Sequence, residues 1–174
     1  MTESGTTRYK PIEIDDAALR DLAAQVSNRL RGLGLKLTTA ESCTGGWIAK
    51  SMTDLAGSSD VFTDGFVTYS NASKSARLGV APALIAADGA VSAAVVRAMA
   101  IGALAASGSQ CAVAVSGIAG PGGGSPDKPV GTVWIGWARA EGGTRTQCFV
   151  FDGDRDQIRR STVRAALQGV FGEA

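Results

Sequence analysis

Apolar residues recur at helical spacing at Leu19, Leu22, Val26 and Leu30, so Ala17 to Leu33 is predicted as an amphipathic helix that stops at Gly32-Leu33-Gly34. The next run, Leu35 to Ala40, is short and bounded by glycine, which predicts a strand. Thr44 to Leu55 is predicted as a helix ending near Gly57, and Val61 to Tyr69, with Phe62, Phe66 and Val67, as a second strand. A short helix is expected over Asn71 to Leu78 with Gly79 as its stop, and a further helical turn over Pro82 to Ala87. The clearest helix is Ser92 to Ser107, with Ser92 as its cap and Val95, Val96, Met99 and Leu104 on an alanine-rich packing face.

The second half changes character. Cys111 to Ser116 is uniformly apolar apart from its end, the pattern of a buried strand. Gly117 to Val130 is a Gly/Pro loop of a length that usually serves function. Gly131 to Ala138 and Thr144 to Phe151 form two strands joined at Glu141-Gly142-Gly143, a hairpin signal. An amphipathic helix from Asp156 to Phe171, with Ile158, Val163, Ala166, Leu167 and Val170 on one face, closes the chain. Strands alternate with helices and then form a hairpin, which predicts one α/β domain with a mixed sheet covered by helices on both faces. Residues 1–15 are polar and expected to be a flexible arm, with the domain over residues 16–174.

Composition narrows the function classes. The chain has 174 residues, 45% of them hydrophobic and 19% charged, with a net charge of +1, as expected of a soluble globular protein. No basic stripe supports nucleic-acid binding, and no segment reads as a membrane span or a signal peptide, so a cytoplasmic protein is expected. The longest apolar stretch, around Val95 to Ala106, is short and contains Arg97. The three cysteines are far apart and form no metal-binding or disulfide pattern. The absence of histidine argues against a zinc site, and means that any serine chemistry must use a lysine, tyrosine or carboxylate base.

Candidate chemistry concentrates in a few places. Ser42 lies between a strand and a glycine-rich turn, where it is a nucleophile, a phosphate ligand or, with Thr44, simply an N-cap. Backbone N–H groups around Thr44, Gly45 and Gly46 are candidates for an oxyanion hole. Cys43 is the rival nucleophile or a small buried hydrophobe. Glu41 orients a substrate amide or a lysine, or makes a plain salt bridge. Tyr69, Asn71 and Lys74 cluster after the second strand; a desolvated Lys74 can act as general base, with Tyr69 tuning it or relaying its proton, while the alternative is a solvated lysine and a packed tyrosine. Ser116, Gly117 and Gly120 open a loop whose successive glycines can form an anion nest or a flexible surface loop, without a Walker ending. Arg155, just after Gly153 and Asp154, can hold a phosphate or pair with a neighbouring aspartate.

Taken together, six ordered motifs resemble one family: TAESCTGG (Thr39–Gly46), VTYSNASK (Val67–Lys74), GAVS (Gly89–Ser92), SGIAGPGGG (Ser116–Gly124), KPVGTVWI (Lys128–Ile135) and GDR (Gly153–Arg155). The chain is similar to the CinA C-terminal domain family, whose enzymatic members are nicotinamide-nucleotide amidohydrolases. The resemblance implies a three-layer α/β/α sandwich with a mostly parallel sheet. It also implies hydrolysis of nicotinamide mononucleotide to nicotinate mononucleotide and ammonia, which recycles pyridine nucleotides. It implies Ser42 as nucleophile and Lys74 as base, with Tyr69 and Thr44 at neighbouring site positions. No metal or other cofactor is expected, the sole small-molecule partner is the nucleotide, and a homodimer or higher homo-oligomer is expected. The chain looks like the stand-alone form of the family, without the large N-terminal domain of longer members. The alternatives are an amidohydrolase of another small amide and a non-catalytic nucleotide-binding or regulatory module.

Overall fold

The computed structural model describes residues 7–10 and 14–172. In chain order the elements are β1 (Thr7–Tyr9), α1 (Asp16–Leu33), β2 (Leu37–Glu41), α2 (Trp47–Thr53), β3 (Phe62–Val67), α3 (Asn71–Leu78), α4 (Pro82–Asp88) and α5 (Ala93–Ser107). They continue with β4 (Cys111–Gly117), β5 (Thr132–Arg139), β6 (Thr144–Phe151) and α6 (Arg155–Gln168). The strands form a single sheet in the order β1-β6-β5-β4-β2-β3. β2 runs parallel to β3 and β4, β1 runs parallel to β6, and β5 lies antiparallel to both of its neighbours. The sheet is thus mixed and mostly parallel, as expected.

Helices α1, α2 and α6 pack together on one face, and α3, α4 and α5 on the other. The first layer buries Leu30, Ile48, Met52, Ile158 and Leu167 against Leu37, Val113 and Ile135 of the sheet. The second is built from smaller residues: Val95, Val96, Met99, Ala100 and Ala103 of α5 lie over Ala40, Ala112, Ala114 and Ala138. Small facing side chains let α5 approach closely, and α3 approaches α5 closely too. A Cβ on Gly102 would come within 2.0 Å of the Leu78 carbonyl oxygen, so only glycine fits there.

Sequence signals set the helix ends. Asp15, Ser70, Ser92 and Asp154 cap α1, α3, α5 and α6 with side-chain oxygens, and Asp154 and Gln157 form a complete capping box. Three expectations are corrected. Thr7–Tyr9, placed in a flexible arm, are an edge strand paired with Phe149–Phe151; the rest of that arm lies largely outside the described residues. Thr44 to Gly46 are a turn rather than helix, because Gly45 and Gly46 adopt positive φ (62° and 96°) and α2 begins only at Trp47. The last helix ends at Gln168 and continues as a 3₁₀ turn over Gly169–Phe171.

The connections decide where a ligand can sit. From β2 the chain crosses through α2 on one face to β3. From β3 it returns through α3, α4 and α5 on the other face to β4, on the opposite side of β2. The C-terminal end of β2 is therefore a topological switch point, where adjacent loops diverge and leave a crevice. Glu41 is level with Val67 of β3 and Val115 of β4, so the segments that follow these three strands meet above that point.

Candidate active site

Side chains alternate faces along β2, and the alternation continues past its end. Glu41 turns towards α2 and Ser42 towards α3. The Glu41 carboxylate is 1% exposed and accepts four hydrogen bonds. Thr44 Oγ1 donates to its Oε2 at 2.6 Å, Gly46 N at 3.1 Å and Ile48 N at 3.0 Å, and Ala49 N donates to Oε1 at 2.8 Å. Glu41 therefore caps α2 from the preceding strand. The first N–H groups of a helix lack intrahelical acceptors and carry its positive end, and a carboxylate satisfies both needs.

This arrangement corrects several sequence expectations. Glu41 is engaged by the turn through four hydrogen bonds and pairs with no lysine among the described residues. The Thr44 side chain is fully buried and its hydroxyl is committed to Glu41, so it stands outside the cleft. Gly46 N serves Glu41 and Gly45 N donates to the Ser42 carbonyl at 3.1 Å, so neither glycine amide is free for an oxyanion. Among the described residues, the amides of the turn that find no acceptor in another residue are those of Cys43 and Thr44. The Cys43 thiol packs in the larger core cluster, and burial pushes its pKa up to about 12, which keeps it protonated and inert near neutral pH.

On the other side of β2, Lys74 enters from the first turn of α3. It is 1% exposed, an unusual burial for an amine. Its Nζ lies 3.1 Å from Ser42 Oγ, 2.8 Å from the Thr68 carbonyl oxygen and 3.2 Å from the Tyr69 carbonyl oxygen. Lys74 makes no salt bridge among the described residues. Burial without a carboxylate lowers its pKa below the ordinary lysine value, because desolvation penalises the ammonium form. A neutral amine has two N–H donors and one lone pair. In that form the two carbonyls can take the donors and leave the lone pair to the Ser42 hydroxyl, whereas the ammonium form donates to all three oxygens.

Tyr69 is brought to the site but not to Lys74. Its side chain is 63% exposed and its hydroxyl accepts from Arg155 Nη2 at 3.4 Å, while only its backbone carbonyl meets the lysine. Arg155 also donates to the Gly120 carbonyl oxygen at 2.8 Å, so it ties the glycine loop to the tyrosine at the rim. Asn71 is exposed at the start of α3. Ser116 is spent structurally, donating to the Ala90 carbonyl oxygen at 2.8 Å. Gly117 belongs to β4, paired with Val133, and is not part of an anion nest.

Two residues of this region were not singled out from sequence. Arg159, one helical turn after Arg155, donates from Nε to the Cys43 carbonyl oxygen at 3.1 Å and from Nη2 to that of Thr44 at 2.8 Å. Lys128 donates to the Asp88 and Val91 carbonyl oxygens and ties the glycine loop to the segment between α4 and α5. The i, i+4 spacing of two arginines at the start of α6 was the available signal for Arg159. Among the described residues no acidic, histidine or cysteine cluster has the makings of a metal site, and no helix is long and apolar enough to cross a membrane.

Residues 19–173 match the CinA C-terminal domain. The chain is 55% identical over 158 residues to the nicotinamide-nucleotide amidohydrolase PncC of Escherichia coli (strain K12), covering 90% of this chain and 94% of that protein. It is 54% identical over 152 residues to the PncC of Pseudomonas putida, covering 86% and 93%. Among solved structures it is similar to the competence/damage inducible protein CihA from Agrobacterium tumefaciens, with a TM-score of 0.85, 44% identity and coverage of 90% and 94%.

Proposed function

The chain belongs to the CinA C-terminal domain family, and from that premise we propose that it is a nicotinamide-nucleotide amidohydrolase working through Ser42 and Lys74. The relatives named for this activity match almost end to end, which supports the substrate class. The observation that carries the mechanism is the buried, carboxylate-free Lys74 with its amine 3.1 Å from Ser42 Oγ.

In this reading neutral Lys74 takes the Ser42 proton as Oγ attacks the carboxamide carbon of nicotinamide mononucleotide. The carbonyl π pair moves to oxygen and gives a tetrahedral oxyanion. Collapse breaks the C–N bond, and the Lys74 ammonium returns the proton to the leaving nitrogen, which departs as ammonia. Lys74 then takes a proton from water, whose oxygen attacks the Ser42 ester carbon; collapse breaks the C–Oγ bond, the Lys74 ammonium returns the proton to Ser42 Oγ, and nicotinate mononucleotide leaves. The exposed Tyr69 ring and Arg155 form the rim over which the nucleotide lies. Each water consumed yields one carboxylate and one ammonium, the proton of the carboxylic acid ending on the released ammonia.

The test is direct. The purified chain, incubated with nicotinamide mononucleotide, is expected to release ammonia and nicotinate mononucleotide one to one, and Ser42→Ala to bind the nucleotide without releasing either. Binding without turnover in the unsubstituted chain would favour a regulatory module, and turnover of a different amide alone would move the substrate.

A further inference from the structure

The Ser42 turn contains a chain of peptide hydrogen bonds that begins at a half-buried charge, the Arg159 guanidinium. Arg159 Nη2 donates to the Thr44 carbonyl oxygen at 2.8 Å. The same peptide group carries Gly45 N–H, which donates to the Ser42 carbonyl oxygen at 3.1 Å. That second peptide group carries Cys43 N–H, which has no acceptor in another described residue, only its own thiol nearby, and belongs to the residue after the candidate nucleophile. Arg159 Nε holds the Cys43 carbonyl oxygen at 3.1 Å, so the intervening peptide is fixed as well. The guanidinium lies against Trp47, 5.1 Å from the ring centroid, which restricts its own movement.

From this geometry we infer that Arg159 is a positioning residue for the oxyanion hole, polarising the Cys43 amide through two peptide groups. The inference rests on the reaction proposed above. Hydrogen bonds in series polarise one another, and a charged donor at the head of the series strengthens the last N–H. The amide of the residue following a serine nucleophile is well placed for the oxyanion that forms on that serine. Glu41 takes the N–H groups of Gly46, Ile48 and Ala49 and the Thr44 hydroxyl, while Arg159 takes the carbonyls of Cys43 and Thr44. The Cys43 amide is thereby left as the polarised donor beside Ser42 that no other described residue takes up. The Thr44 amide also lacks an acceptor, but it belongs to a fully buried residue.

Two readouts test this on the full chain, in Arg159→Gln and in Arg159→Lys, which keeps the charge but not the fork. The first is the affinity for a mononucleotide carrying an aldehyde in place of the carboxamide, which adds Ser42 Oγ and develops the oxyanion, against that for nicotinate mononucleotide. Arg159→Gln is expected to weaken the aldehyde by about 10-fold or more and the carboxylate by less than about 2-fold, with Arg159→Lys between. The second is the amide proton resonance of Cys43 in the ligand-free protein. It is expected to move upfield in Arg159→Gln, further than those of Ile48 and Ala49, whose partner is Glu41. Equal weakening of both ligands, or a Cys43 resonance that does not move, would overturn the inference. If Arg159→Gln does not fold, Arg159→Lys decides by the same criteria. Failure of the unsubstituted chain to hydrolyse the nucleotide would remove the proposed reaction, whereas the resonance still reports on the polarisation.

Discussion

Lys74 owes its proposed chemistry to what does not surround it. Two backbone carbonyls and one hydroxyl meet its amine, and no carboxylate of the described residues does, so burial lowers its pKa without an opposing ion pair there. A base must be deprotonated to act. Because the folded-state pKa lies below the ordinary lysine value near ~10.4, kcat/KM is expected to rise with pH through that lowered value and then level off. A pH–rate profile checks this, and Lys74→Met is expected to lose the rising limb along with at least ~10³-fold of the activity. The neighbouring thiol is expected to behave otherwise. Cys43 is a core residue with its pKa raised to about 12. Cys43→Ala is therefore expected to keep turnover within a few-fold while lowering stability by about 1–2 kcal/mol in a urea titration.

At the scale of elements, the site depends on two contacts that bring no reactive group to it. Glu41 satisfies the start of α2, and Glu41→Gln replaces a fully accepting carboxylate with an amide whose NH₂ faces a donor. Denaturant unfolding is expected to show a loss of about 2–4 kcal/mol, since charged hydrogen bonds are lost and a buried N–H is left unpaired. Gly102 lets α5 meet α3. Gly102→Ala is expected to destabilise by about 1–3 kcal/mol through overpacking. Because Lys74 rides on α3, the same substitution is expected to lower kcat more than it raises KM. Legibility also divides at this scale. α3 was readable to the residue because its end is a local signal, Gly79, and its start is likewise fixed locally, by the Ser70 cap. The turn at Thr44 to Gly46 was not, because its shape depends on a carboxylate in the preceding strand and on Arg159, 115 residues downstream of Thr44. β1 was illegible for a related reason: a three-residue strand has no periodicity, and only pairing with β6 defines it.

Across the whole molecule, the order of strands places Ser42 where it is. The chain leaves β2 on one face, returns to its other side on the opposite face, and so opens a crevice at the end of β2. Lys74 reaches Ser42 from the α3–α5 layer, while Arg155 and Arg159 arrive from the opposite layer on α6. Motif order in the sequence located the segments of this convergence but not which groups face it. Tyr69 illustrates the difference, since its ring belongs to the rim with Arg155 and only its carbonyl belongs to the lysine. The central claim is covalent catalysis at Ser42, and acid-quenched turnover followed by peptide mass spectrometry tests it most directly. The expected result is a nicotinate-nucleotide ester on the Ser42 peptide that is absent in Ser42→Ala. A thioester on Cys43, or an unmodified turn in enzyme that is releasing ammonia at saturating nucleotide, would contradict it.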